Sequence, residues 1–170
     1  MAELLLEEVT RDNWRAALVL GVAPEQQRFV ADSAPIAAIA LAKAYVRPAG
    51  LVWVPYAFSC NETMVGFAEL AYQPDSTDDY WMFHFFIDRR FQRQGLGKQA
   101  LRLFLGRVRE QHRHAEALQL TVHPDNAAAQ RLYVGAGFEP TGEVRLDEPV
   151  YRLALAASES TRSGCPTPQG

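Results

Sequence analysis

The chain has 170 residues, 48% hydrophobic and 22% charged, enough to close one substantial core and too few for two domains of ordinary size. Its 17 Lys and Arg are outnumbered by 20 Asp and Glu, a formal net charge of −3, so no broad electropositive field recommends a nucleic-acid backbone as partner. Cys60 and Cys165 are far apart and show no CxxC or Cys/His metal spacing, which argues against a structural disulfide or a zinc site.

Leu4 to Val9 is a short apolar run suited to a strand, and Thr10 offers a hydroxyl cap to a helix carrying Trp14, Ala17 and Leu18 on one face. The opening MAELLLEEVTRDNW has neither a basic n-region nor a continuous apolar h-region, and no later apolar run approaches the roughly 18 residues of a membrane span. A soluble, cytoplasmic protein with no membrane partner is expected. After the loop around Gly21 and Pro24, Ser33 can cap a second helix containing Ile36, Ile39, Ala40 and Lys43, which Pro48 and Gly50 end.

LVWVPYAF and MVGFAEL, joined by the polar SCNET, read as a hairpin, with Pro55 suggesting an edge or a bulge. The charged loop QPDSTDD then delivers YWMFHFFID, apolar on both faces and expected to be the central and most deeply buried strand. From Gly95 to about Arg109, Leu101, Phe104, Leu105 and Val108 share a helical face, and ALQLTV follows as a strand. Asp125 or Asn126 can cap a last helix whose shared face is Ala129, Leu132, Tyr133 and Ala136, with Gly137 at its left-handed end. Two extended runs, from Phe138 and over VYRLAL, complete an α/β fold around a mixed sheet, with helices on both faces and the order β-α-α-β-β-β-α-β-α-β-β. Residues 1–155 form the single domain; residues 156–170, SESTRSGCPTPQG among them, have almost no apolar content and are expected to be disordered.

Chemistry is concentrated in Gln92-Arg93-Gln94-Gly95-Leu96-Gly97-Lys98, between the aromatic strand and an amphipathic helix. Glycines let the backbone approach a pyrophosphate, and the free N–H groups and dipole of a helix start attract anions; Arg93 and Lys98 add full charges. Gly95-x-Gly97-x-x-Ala100 with Glu116 satisfies a loose dinucleotide-binding pattern. Its context is wrong, because RRFQRQ separates the strand from the glycines and Glu116 precedes the next strand. No GxxxxGK[ST] phosphate loop is present either.

FFIDRRFQRQGLGKQAL resembles the coenzyme A signature of the GNAT superfamily, Q/R-x-x-G-x-G/A, and NAAAQRLYVGAGF resembles its second signature, N-x-x-A-x-x-x-Y-x-x-x-G-F. The two occur in order with one strand between them, and the resemblance spans roughly residues 4–155. VTRDNWRAALVL, EQQRFVADSA and YWMFHFFID are further similar to bacterial spermine/spermidine or diamine acetyltransferases.

The resemblance implies an N-acetyltransferase that uses acetyl-CoA, without a metal, to acetylate a primary amine of a small substrate such as a polyamine. It implies that backbone groups of Phe85, Phe86 and Ile87 pair with the pantetheine arm, and that the Ile87 N–H or a neighbour polarises the thioester carbonyl. Asn126 then caps its helix or binds the coenzyme arm, and Tyr133 is a core tyrosine or the acid that protonates the departing thiolate. Glu69 and His84 are structural residues or the groups that take the acceptor's proton, directly or through water. Glu25, Asp32, Asp78 and Asp79 are solvated loop charges or the acids that hold a polycation. Other amines (an aminoglycoside, an amino acid, a protein N-terminus) and a catalytically silent acyl-CoA-binding module remain alternatives. Pairing of free terminal strands would make a homodimer.

Overall fold

The computed structural model describes residues 3–155, so the expected C-terminal tail and Cys165 lie outside the described residues. Strand β1 (Leu4–Glu8) is followed by helices α1 (Trp14–Leu18) and α2 (Ile36–Val46), then by β2 (Val52–Cys60), β3 (Thr63–Tyr72) and β4 (Tyr80–Ile87). Helix α3 (Leu96–Gln111), β5 (Ala117–Thr121), α4 (Ala127–Gly135), β6 (Glu139–Arg145) and β7 (Glu148–Ala154) complete the chain. The sheet runs β1-β2-β3-β4-β5-β7-β6. Among the described residues only β4 and β5 pair in parallel.

Period-two alternation sends neighbouring side chains to opposite faces. Tyr56 and Phe58 join Leu4, Leu6, Leu70 and the α3 residues Leu101, Phe104, Leu105 and Val108 in one core, while Ala57, Met64, Phe67 and Phe86 pack under α1 and α2 in another. The 3.6-residue period of α3 is what brings its four large apolar side chains onto one stripe. Each contributes about 1.5–3 kcal/mol when removed from water. Helix α4 lies on the α3 side, with Tyr133 in that core and Ala129, Leu132 and Ala136 packed against it.

Several local expectations are corrected. Asn13, not Thr10, occupies the cap of α1; its Oδ1 accepts from the Thr10 N–H at 2.7 Å, and the Thr10 hydroxyl accepts from Asp12 N–H at 3.3 Å. Ser33 does not cap α2, which starts from Pro35, and α2 ends one residue before the left-handed Arg47, ahead of a separate 3-10 turn at Pro48–Gly50. Strand β2 is interior. Pro55 is tolerated because β1 has ended at Glu8, opposite Tyr56, and the Pro55 carbonyl accepts from Val9 N–H at 2.9 Å. The most deeply buried strand is β3, buried from Met64 to Ala71, whereas Phe83, His84 and Phe85 of the central β4 are only partly covered. The last strand, β7, inserts between β5 and β6 and leaves β1 and β6 as the edges.

Candidate active site

The site begins where β4 and β5 part. Trp81 and Gln119 are their single paired position, after which β5 stays with β7 along its whole length. Strand β4 at the same point carries a bulge, since Phe67 opposes Phe86 but Glu69 opposes Phe83, so that both His84 and Phe85 face Ala68 alone. His84 takes the extra turn with φ of 50°, a conformation that a non-glycine side chain holds only when its surroundings fix it. Gly66 makes the bend possible, because a Cβ there would lie 2.8 Å from the Phe86 carbonyl oxygen and 2.9 Å from Ile87 Cδ1. Asp88 N–H bonds to the Val65 carbonyl on the β3 side. Alternation along the strand then turns the Ile87 backbone toward the gap.

One cleft of about 500 Å³ occupies this gap. Phe85, Phe86, Ile87, Gln92, Arg93, Gly95, Leu96, Gly97, Asn126 and Tyr133 line it; Gln94 and Lys98 do not. The turn is built on left-handed residues, Arg93 at φ 61° and Gly95 at φ 75°, and Gly95 at the start of α3 has no side chain to cap the helix. The first N–H groups of α3 thus have no capping side chain, an arrangement that suits an anion. Gln92 is a brace: its Nε2 donates to the Ile87 carbonyl at 2.9 Å and its amide pairs with that of Gln26. Asp88 braces the same corner, accepting from Gly21 N–H at 2.9 Å and from Arg90 Nε at 2.7 Å. Burial alone would raise its carboxyl, but these hydrogen bonds outweigh burial and hold it below the usual carboxylate range. Asn126 Oδ1 caps α4, accepting from Ala129 N–H at 3.2 Å.

A second cleft, of about 510 Å³, lies beyond the bulge and shares Phe29, Val30, Phe85, Thr121 and Tyr133 with the first. Tyr133 is packed edge-on between Phe85, at 6.3 Å, and Phe138, at 5.7 Å. Burial, with a smaller contribution from Glu148, pushes its phenol above the ordinary range, so the hydroxyl keeps its proton near neutral pH.

Among the carboxylates expected to flank an acceptor, Asp32 lines the second cleft, and Glu25, Asp78 and Asp79 line neither. Asp79 instead accepts from Trp81 Nε1 at 2.7 Å, and Asp78 accepts from the Ser76 hydroxyl at 2.9 Å. The second cleft adds Glu148, which accepts from the Thr121 hydroxyl at 2.6 Å, and the basic residues Arg28, Lys43 and Arg145. Sequence reasoning marks none of these four as a site residue. Only the alternation of β3 to β7 hints at which acids and bases turn inward.

His84 forms part of the wall of the second cleft, and Glu69 is wholly buried and lines neither cleft. His84 Nδ1–H donates to the Val30 carbonyl at 2.7 Å, leaving Nε2 as an acceptor for Lys43 Nζ at 3.0 Å. Glu69 Oε2 lies 3.7 Å from the same Nε2, and neither of its oxygens has a hydrogen-bond partner. Burial raises the Glu69 carboxyl to about 8 against the opposing charge of Lys43, and burial with the Lys43 charge lowers the His84 imidazole to about 4. Among the described residues no group of three or more His, Cys, Asp or Glu is gathered as metal ligands would be, and no helix is long and apolar enough to cross a membrane.

A mixed sheet splayed at its middle, a glycine turn at an uncapped helix start and a tyrosine shared by two clefts make up the candidate site. The family model described as Acetyltransferase (GNAT) family matches residues 7–138, and the chain belongs to that family. It is 30% identical over 144 residues to the spermine/spermidine N(1)-acetyltransferase of Bacillus subtilis, covering 82% of this chain and 90% of that protein. The ribosomal-protein-S18-alanine N-acetyltransferase of Escherichia coli superposes with a TM-score of 0.63 at 19% identity, covering 94% of this chain and 98% of that one. The PaiA N-acetyltransferase of Thermoplasma acidophilum, solved in complex with coenzyme A, superposes with a TM-score of 0.65 at 10% identity, covering 89% and 99%. The chain is accordingly an N-acetyltransferase of the acetyl-CoA-using kind.

Proposed function

We propose that the protein transfers the acetyl group of acetyl-CoA to a primary amine of a small polyamine, with the first cleft holding the coenzyme and the second the acceptor. The observation that carries this reading is the meeting of the two clefts at Phe85 and Tyr133. Acetyl-CoA fits the residues present. The uncapped start of α3 and the left-handed Gly95 suit the pyrophosphate, and the unpaired edge of β4 suits an amide-bearing arm. When bound it supplies an activated acetyl group. In this reading the Ile87 N–H donates to the carbonyl oxygen, and Tyr133 protonates the departing sulfur. His84, backed by Glu69, belongs to the wall where the acceptor's proton is taken up.

The polyamine assignment is supported by the Bacillus subtilis relative and by Asp32 and Glu148, two carboxylates facing the acceptor cleft. We further propose a cytoplasmic homodimer paired through the exposed edge strand β6; a monomeric mass by light scattering removes the dimer. The function is tested by thiol release from acetyl-CoA across a panel of spermidine, spermine, short diamines, an aminoglycoside, amino acids and an N-terminal peptide. Turnover confined to the polyamines is expected. Turnover of another class with polyamines inert at millimolar concentration overturns the acceptor assignment.

A further inference from the structure

The acceptor cleft contains an amine of the protein's own. Lys43 Nζ, delivered by α2, lies 4.8 Å from the centroid of the Trp53 ring of β2 and 5.1 Å from that of the Phe83 ring of β4. It donates to His84 Nε2 at 3.0 Å. Because the other imidazole nitrogen is committed to a carbonyl, the direction of that bond is fixed, and a neutral Lys43 donating to it would have its lone pair free. Glu69 approaches from β3 behind His84, Arg28 and Asp32 approach from the segment before α2, and Arg145 and Glu148 line the same cleft from β6 and β7.

We infer that Lys43 is the catalytic base of the acceptor cleft, its Nζ taking the proton of the incoming ammonium while His84 orients the amine. This rests on the proposed acetyl transfer to an amine. The chemistry favours an amine over the other two candidates. Both imidazole nitrogens of His84 are already engaged, by the Val30 carbonyl and by Lys43, and Glu69 does not reach the cleft. Burial lowers the Lys43 amine, opposed by the charges of Glu69 and Asp32, in the direction a base needs.

The protons balance. The first proton of the acceptor ammonium goes to Lys43 Nζ and then to water. The second leaves the nitrogen as the C–N bond forms and the C–S bond breaks, and it restores the Tyr133 phenol that has protonated the sulfur.

The test is Lys43→Arg, which keeps a donor for His84 over the two rings but cannot give up its proton near neutral pH. Two acceptors are compared: an alkyl diamine, which arrives as an ammonium, and trifluoroethylamine, already neutral at the assay pH. The ratio of wild-type to variant kcat/KM should be about 10² or more for the diamine and close to one for the neutral amine, with acetyl-CoA affinity unchanged. An equal ratio for both amines, or wild-type activity of the variant, overturns the assignment while leaving acetyl transfer in place. If Lys43→Arg lowers the melting temperature, Lys43→Gln is put through the same comparison, and the ratios for the two amines decide in the same way. Failure of the wild-type protein with every amine overturns the proposed function itself.

Discussion

Replacing Tyr133 by Phe removes one hydroxyl from a ring that is 7% exposed and leaves its contacts to Phe85 and Phe138 in place. Stability should therefore change by no more than about 1 kcal/mol, and acetyl-CoA affinity hardly at all. The rate is another matter. A positioned general acid contributes about 10²- to 10⁴-fold, which at 1.36 kcal/mol per decade is about 3–5 kcal/mol of barrier. Because burial holds the phenol above its ordinary range, the wild-type hydroxyl stays protonated from about pH 6 to pH 9, and the loss should be the same across that window. The assay is single-turnover thiol release at saturating coenzyme and amine, so that chemistry and not product departure is observed. A kcat within a few-fold of wild type, or a defect that vanishes as the pH is lowered, would refute the reasoning and leave Tyr133 as core packing.

Gly66→Ala places a Cβ against the Phe86 carbonyl and Ile87 Cδ1 at under 3 Å; the bulge must shift, costing about 1–3 kcal/mol, and both urea unfolding and acetyl-CoA calorimetry should register it. Gly97→Asp separates fold from function, since its Cβ meets only Leu132 Cδ2 at an ordinary 3.8 Å. A carboxylate in the first turn of α3 favours the helix by about 0.3–1 kcal/mol, so the melting temperature should hold while coenzyme affinity falls about tenfold or more. Unchanged affinity would move the pyrophosphate away from this turn.

The elements near the coenzyme cleft are legible in the sequence because their signals are local. The stripe of Leu101, Phe104, Leu105 and Val108, the cap at Asn126 and Gly137 at φ 99° all follow from neighbours within a few residues. The acceptor cleft is not, because its parts converge through tertiary structure. Lys43, Glu69 and His84 come from α2, β3 and β4, and their meeting depends on a bulge that no dipeptide announces. Asp78 and Asp79 look equivalent to Asp32 in composition, yet short hydrogen bonds to Ser76 and Trp81 hold them in the β3–β4 loop, away from the cleft. Order along the chain makes the terminal strand β7 look like a free edge, because it does not reveal the return between β5 and β6.

The central claim is that one molecule of coenzyme and one of amine meet at Tyr133. It is tested most directly by incubating the protein with acetyl-CoA and spermidine and following free thiol and amine mass together. One acetylated amine per thiol released is the predicted result. Thiol release with the amine unmodified, or tight acetyl-CoA binding with no transfer to any amine, would contradict it.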